Sequence, residues 1–253
     1  MMLYFCRHSN CMNLIVDVGN TFIKLAVFNK NELVHKVVCE NQAFPVALCD
    51  LSQQFLSISH CIVSSVGEFS AAYVVLLSEK YTLIELTNKT SVPFENDYAT
   101  PLTLGVDRIA LTSAAALKFS KENILVVDAG SCITYDFLTN ENHYKGGAIS
   151  PGIEMRYKAM HHFTAGLPLL DKEFPENFIG NTTGGSLHSG VVYGVIGEIE
   201  GTINRYKNQY PDLTVILTGG DTDFLRDSIK IGIFANSNFL LEGLHFILEH
   251  NKH

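Results

Sequence analysis

Two short segments of this chain carry the residue types that phosphate and metal chemistry needs. Val16-Asp17-Val18-Gly19-Asn20-Thr21 leads into an apolar run ending at Phe28, and Val127-Asp128-Ala129-Gly130-Ser131-Cys132 leads into another ending at Leu138. In both, an apolar strand ends in an aspartate, a tight glycine turn and a small polar residue, and a second strand follows at once. A carboxylate suits a hard cation, and turn N–H groups with hydroxyls suit phosphate oxygens, so the segments point to a Mg-nucleotide. One Asp-x-Gly alone is an ordinary hairpin turn. Two of them, with the aspartates at positions 17 and 128 of 253, mark a duplicated domain with a cleft between the copies.

Further candidates surround these turns. Lys24 is the only charge between Thr21 and Phe28. A lysine in a strand that is apolar on both faces must lie on a sheet edge, snorkel or meet an anion. Leu104-Gly105-Val106-Asp107-Arg108 opens an alanine-rich helix. Asp107 has the form of a helix N-cap, and beside an arginine on a glycine turn it is also placed to accept a proton from a hydroxyl nucleophile. Arg108 opposes the macrodipole of its helix, which is better explained by an anion it must hold, a carboxylate or a phosphate. Gly146-Gly147-Ala148-Ile149-Ser150-Pro151-Gly152 and Thr218-Gly219-Gly220 join strands to helices where backbone can approach a ligand. The 10 histidines show no ligand spacing, and the adjacent His161 and His162 read as surface.

These groups need a scaffold, and the pattern of the chain supplies one. The first half reads as strands over 13–18, 21–28 and 32–39, a helix over 45–57, a buried strand over 60–65, a helix over 69–80 and a strand over 82–86. A loop-like stretch, 87–106, precedes the helix at 108–119. The second half repeats the opening with strands over 123–128, 132–138 and 143–149, then a helix after Pro151-Gly152. Residues 164–188 read as irregular, followed by a long helix over 189–209, a strand over 213–218, a helix after Gly219-Gly220 and a last helix over 239–249. This is an α/β chain of mixed sheets covered by helices. The expected division is an extension outside the fold at 1–11, a domain at 12–119 and a domain at 120–253.

Composition narrows the class. Apolar residues make up 47% and charged residues 17%, as in a globular protein. The net charge of −8, with no Lys/Arg-rich run, speaks against nucleic acid. No window approaches the ~18 apolar residues of a membrane span. The 6 cysteines are scattered without zinc-type pairing. Cys6 to Cys11, with His8, is at most half a metal site. No secretory signal opens the chain, so a reducing cytoplasm is the simplest setting. Cys132 faces either the cleft or the core of the second domain, and alternation alone cannot decide which.

Taken in order, these segments resemble the type III pantothenate kinases over about residues 13–250. Asp17-Val-Gly-Asn-Thr-Phe-Ile-Lys24 is similar to that family's D-x-G-N-T-x-x-K phosphate motif. Tyr98-Ala-Thr-Pro101-Leu-Thr-Leu-Gly105-Val-Asp107-Arg108 resembles its pantothenate segment, and Asp128-Ala-Gly-Ser131 its D-A-G-T motif. Gly146–Gly152 and Gly180-Asn-Thr-Thr183 also have counterparts. Ser131 for threonine and Cys132 for a small residue are departures that remove no needed group. The resemblance implies duplicated ribonuclease-H-like domains of the sugar-kinase, actin and chaperone-ATPase superfamily. It implies ATP-dependent phosphorylation of pantothenate to 4'-phosphopantothenate, with Asp107 as base. Asp17, Val18, Gly19, Asn20, Thr21, Phe22, Ile23, Lys24, Gly130 and Ser131 would bind ATP, with Asp17 holding Mg²⁺ through water. Tyr98, Gly105, Val106, Asp107, Arg108 and Thr183 would bind pantothenate, and Asp128 would hold K⁺ or NH₄⁺. A cytoplasmic homodimer, with Thr183 reaching the neighbour's substrate, and no nucleic-acid or membrane partner complete the expectation. The rival readings are another kinase or phosphohydrolase of the superfamily, a filament-forming or chaperone-like ATPase, and an inactive regulator.

Overall fold

The computed structural model describes residues 11–252. The extension expected at 1–11 and the Cys6–His8 pair therefore lie, up to residue 10, outside the described residues. The chain divides into two compact units. The first holds residues 11–93, Thr100–Ala114 and residues 241–252; the second holds Phe94–Ala99 and Ala115–Leu240.

In the first unit β1 (Met12–Val18) is the central strand, and every residue after Met12 is buried. It pairs antiparallel with β2 (Ile23–Asn29), which pairs antiparallel with β3 (Glu32–Cys39). A 3₁₀ turn at Asn41–Ala43 leads into α1 (Phe44–Gln54), and β4 (Ile58–Ser65) then returns parallel to β1. α2 (Ala71–Lys80) and β5 (Thr82–Glu85) follow, giving the order β3-β2-β1-β4-β5. Alternation sends Leu14, Val16 and Val18 to one face, where Leu25, Val27 and Val63 join them against Phe44, Leu48 and Leu77 of α1 and α2. The opposite face carries Asn13, Ile15 and Asp17. α3 (Val106–Lys118) supplies its first residues, to Ala114, to this unit.

The second unit repeats this plan. After β6 (Glu95–Asn96) come β7 (Ile124–Ala129), β8 (Cys132–Leu138) and β9 (His143–Pro151), then α4 (Ile153–Phe163) and α5 (Thr183–Gln209). β10 (Thr214–Thr218), α6 (Thr222–Leu225) and β11 (Phe234–Ala235) follow. The order is β11-β10-β7-β8-β9-β6. β7 pairs antiparallel with β8 and parallel with β10, as β1 does with β2 and β4. Apart from β6, the two sheets have one topology, so the repeat seen in the sequence is a repeat of fold. The core of this unit packs Leu125, Val127, Ile133 and Tyr135 against Val192, Val195 and Ile199 of α5.

Two expectations are corrected. The stretch expected to be irregular ends at Thr182, whose hydroxyl caps α5 by accepting the Gly185 N–H at 3.0 Å. Gly184 and Gly185 in its first turn carry low helix propensity and no apolar period, which hid the start. β6 and β11 are too short to show a period of two. Among the described residues no helix is long and apolar enough to cross a membrane.

The last helix, α7 (Phe239–His250), belongs to the first unit from Leu241 onward. His245 on α7 is 1% exposed and stacks on Phe28 of β2, with ring centroids 4.5 Å apart. Asn13 places its Nδ2 3.1 Å from His245 Nδ1. The Asn13 amide also donates to Glu249, and its Oδ1 accepts from Lys252 at 2.7 Å. With the amide donating, His245 Nδ1 must accept, which requires a neutral ring. Burial, assisted by the charge of Lys252, pushes His245 down to about 4, although Glu249 and Glu242 pull the other way. The unfolded chain takes up this proton near the ordinary ~6.5. Stability is therefore complete above pH ~6.5 and falls by about 3 kcal/mol as pH drops toward 4. Denaturant melts at pH 7, 6, 5 and 4 should show this slope, and His245→Gln should flatten it; equal slopes would exclude His245 as its source.

Candidate active site

β1 delivers Asp17 to its carboxyl end in the face opposite the α1–α2 core. Asp17 is 5% exposed. The antiparallel register places Lys24 of β2 directly across from it, with Nζ 3.2 Å from Oδ2. β2 is an interior strand, so Lys24 is not an edge lysine; it meets an anion. Burial holds the Asp17 carboxyl above the usual carboxylate range. Lys24 offsets this in part, and the negative charge of Asp107 adds to it. Asp107 thus lies near enough to Asp17 for its charge to be felt.

The turn after Asp17 closes by the Gly19 N–H donating to Phe22 O at 3.0 Å. Gly19, Asn20, Thr21, Phe22 and Ile23 line a cavity of about 540 Å³ together with Asn41, Val66, Gly67 and Glu68. The Val18 side chain points into the core, so only its backbone can serve a ligand; its carbonyl accepts the Val66 N–H at 3.1 Å.

Asp107 lies inside the first turn of α3 rather than at its cap. Its Oδ1 accepts the Arg108 N–H at 2.8 Å. Gly105 makes room for it, since a Cβ there would lie 2.4 Å from Asp107 Oδ1. Arg108 follows at 6% exposure, a buried cation in a helix start.

The second unit sets Asp128 at the equivalent place on β7, but its setting differs. The residue across the antiparallel pair is Thr134 where the first unit has Lys24. The turn is also one position tighter: the Gly130 N–H donates to Cys132 O at 2.9 Å. Gly219 adopts φ +97°, and a Cβ there would come within 2.3 Å of Asp128 Oδ1. The Asp221 N–H ties this loop to Ala129 O at 2.9 Å, and Lys172 pairs with the buried Asp221 carboxylate. Cys132 is partly exposed and shares the face of Thr134 and Asp136, opposite the Ile133–Tyr135 core.

The remaining expected residues lie elsewhere in the second unit. Tyr98 rests against Gly146, where a Cβ would lie 3.1 Å from its ring. Thr183 opens α5 and lines a cavity of about 590 Å³ with Gly180, Asn181, Thr182 and Ser186. Asn41, Glu68, Lys172 and Asp221 were not expected at these places. Asp221 had a usable signal, since it directly follows the Thr218-Gly219-Gly220 turn.

A repeated sheet with an acidic turn at the end of each central strand defines the duplicated ribonuclease-H-like fold of the sugar-kinase superfamily. A solved glucokinase from an Antarctic psychrotroph superposes with a TM-score of 0.54 at 13% identity, covering 96% of this chain and 100% of its own. A solved Baf-family protein from Campylobacter jejuni, described as a transcriptional activator, gives 0.61 at 23% identity over 94% and 98%. At these identities the likeness bears on the fold alone. The sequence carries the assignment further. The family model for type III pantothenate kinase matches residues 13–205. The type III pantothenate kinase of Christiangramia forsetii is 48% identical over 95% of this chain and 99% of its own. The chain belongs to the type III pantothenate kinase family.

The Gly219 geometry yields a test. Gly219→Ala must strain a positive φ and displace Asp128, at a cost of about 2 kcal/mol or more. Gly220 has open space at its Cβ position. Thermal melts should show a drop of roughly 4–8 °C for Gly219→Ala and little change for Gly220→Ala. Equal melting of the two variants would contradict the close approach.

Proposed function

We propose that this chain transfers the γ-phosphoryl group of ATP to the primary hydroxyl of pantothenate, the first step of coenzyme A biosynthesis. The observation that carries this is the buried Asp17–Lys24 pair beside a glycine turn, near enough to Asp107 to feel its charge, in a member of this family. In the reaction the pantothenate oxygen forms a bond to the γ-phosphorus, the bond to the β,γ-bridging oxygen breaks, and ADP leaves. Asp107 would take the hydroxyl proton on Oδ2 while Oδ1 stays fixed by the Arg108 N–H. The Gly19–Ile23 turn and Lys24 would hold phosphate oxygens. Much of the rate then comes from positioning and charge neutralisation. Arg108 would grip the pantothenate carboxylate, with Tyr98, Gly105 and Val106 shaping that site.

Mg²⁺ would neutralise phosphate charge as it develops. The residues fit it: Asp17 offers one buried carboxylate at the strand end that leads into the Gly19–Ile23 turn, so it would hold the ion through water, with phosphates completing the shell. Asp128 would hold K⁺ or NH₄⁺. Its rungs carry Thr134 and Thr218 and no lysine, an oxygen-rich setting suited to a weakly charged cation, and Gly130 and Ser131 would touch the nucleotide. The assembly is a homodimer in the cytoplasm, with Thr183 reaching the partner subunit's substrate. Phe163, Phe178 and Ile179 are exposed on the same unit as the Thr183 cavity.

Three outcomes test this. Asp107→Asn keeps the oxygen that accepts the Arg108 N–H and loses basicity, so kcat should fall by ~10²-fold or more with melting unchanged. Near-normal kcat would leave Asp107 a structural residue of the first turn. Turnover should require K⁺ or NH₄⁺, and Asp128→Ala should abolish the response to them; equal rates in sodium buffer with the wild-type chain would remove the cation site. Sedimentation should give about twice the 28.0 kDa chain mass, whereas an active, strictly monomeric species would refute the dimer.

A further inference from the structure

Asp17 has a second neighbour that the reaction scheme leaves unused. β4 runs parallel to β1 and sets Ser64 in register with Asp17, so both side chains leave the same sheet face. Ser64 is 1% exposed, and its hydroxyl has no hydrogen-bond partner among the described residues. A buried hydroxyl left unsatisfied is destabilising, and packing alone would be better served by alanine or valine. The second unit makes the same choice: β10 sets the buried Thr218 in register with Asp128. In both units an otherwise apolar parallel strand, Cys61-Ile62-Val63 or Val215-Ile216-Leu217, reaches the level of the aspartate and turns to a hydroxyl residue.

We propose that Ser64 is a positioning residue for the Mg-nucleotide, its hydroxyl donating to the Asp17 carboxylate when Lys24 turns from Asp17 to the phosphates. Lys24 pairs with this carboxylate, its Nζ 3.2 Å from Oδ2. A phosphate that draws Lys24 away leaves a desolvated carboxylate short of a donor. Ser64 is the hydroxyl on the adjacent strand, and its proton is not committed elsewhere. The new bond keeps the carboxylate ionised and aimed at the water shell of the cation, which is what outer contacts of a metal site do. Thr134, on the antiparallel rung beside Asp128, carries no positive charge that a phosphate could draw away. The exchange of donors is therefore assigned to the first unit only.

The inference rests on the reading that this turn holds Mg-ATP. It is tested by titrating the full chain calorimetrically with a non-hydrolysable ATP analogue, once with Mg²⁺ and once with EDTA. Ser64→Ala should weaken binding of the Mg²⁺ form about tenfold or more, the loss expected for a hydrogen bond to a charged group. In EDTA the phosphates still draw Lys24 from Asp17, so Ser64→Ala should weaken binding there as well. The melting temperature of the free protein should hold or rise, because an unpartnered hydroxyl has been removed. Wild-type affinity for the Mg²⁺ form in Ser64→Ala would overturn the proposal, and so would a loss confined to the Mg²⁺ form, which would tie Ser64 to the cation and not to the donor exchange. If the wild-type chain bound neither form, the ATP reading itself would fail, and the role of Ser64 with it.

Discussion

A carboxylate taken out of water governs the first unit. Asp17 lies on the most buried strand of its sheet, where an ionised group is tolerated only with a partner. Lys24 is that partner, and the register of β1 with β2 brings it there. The register depends on the length of the turn at residues 19–22, because a one-residue slip would send Lys24 to the hydrophobic face. The same turn forms the cavity wall at Gly19–Ile23. Pairing, register and ligand turn are thus one constraint. Asp107, at the start of α3, adds negative charge to a site already reluctant to ionise. That combination favours a cation beside the two carboxylates.

Duplication explains why the fold offers this position twice, and divergence explains why the positions differ. The two sheets share strand order and direction around β1 and β7. On the antiparallel rung the first has Lys24 and the second Thr134. A lysine suits phosphate, whereas hydroxyls around a carboxylate suit a cation. The Asp128 turn is closed instead by packing: Gly219 fills the space where any side chain would meet Asp128, and Asp221 fastens the loop to Ala129.

Much of the fold was legible in the sequence because its strands are long and punctuated by Asp-x-Gly. The five strands from 13 to 86 and the repeat at 123–149 stand where the apolar runs place them. β6 and β11 were invisible because two residues carry no period. The early start of α5 was masked by Gly184 and Gly185, whose helix rests on the Thr182 cap and on packing from Leu187 onward. Of the site, Asp17, Lys24 and Asp107 were legible because each is a charge in an apolar or helix-starting context. Ser64 was not, because serine at a strand end resembles the start of any loop. Only the register with β1 gives it meaning. The pairing of Lys172 with Asp221 was equally hidden, since it joins an irregular segment to a turn far away in the chain.

The desolvated Asp17 carboxylate is proposed as the cation end of a Mg-nucleotide site. Carbon-13 NMR of the carboxyl carbons, with Asp17→Asn to assign the signal, measures this directly. Without nucleotide, Asp17 should titrate above the ordinary carboxylate value of ~3.9. With a non-hydrolysable Mg-ATP analogue bound, positive charge beside it should bring the titration down. An Asp17 that titrates at the ordinary value, and is indifferent to the Mg-nucleotide, would exclude that role for it.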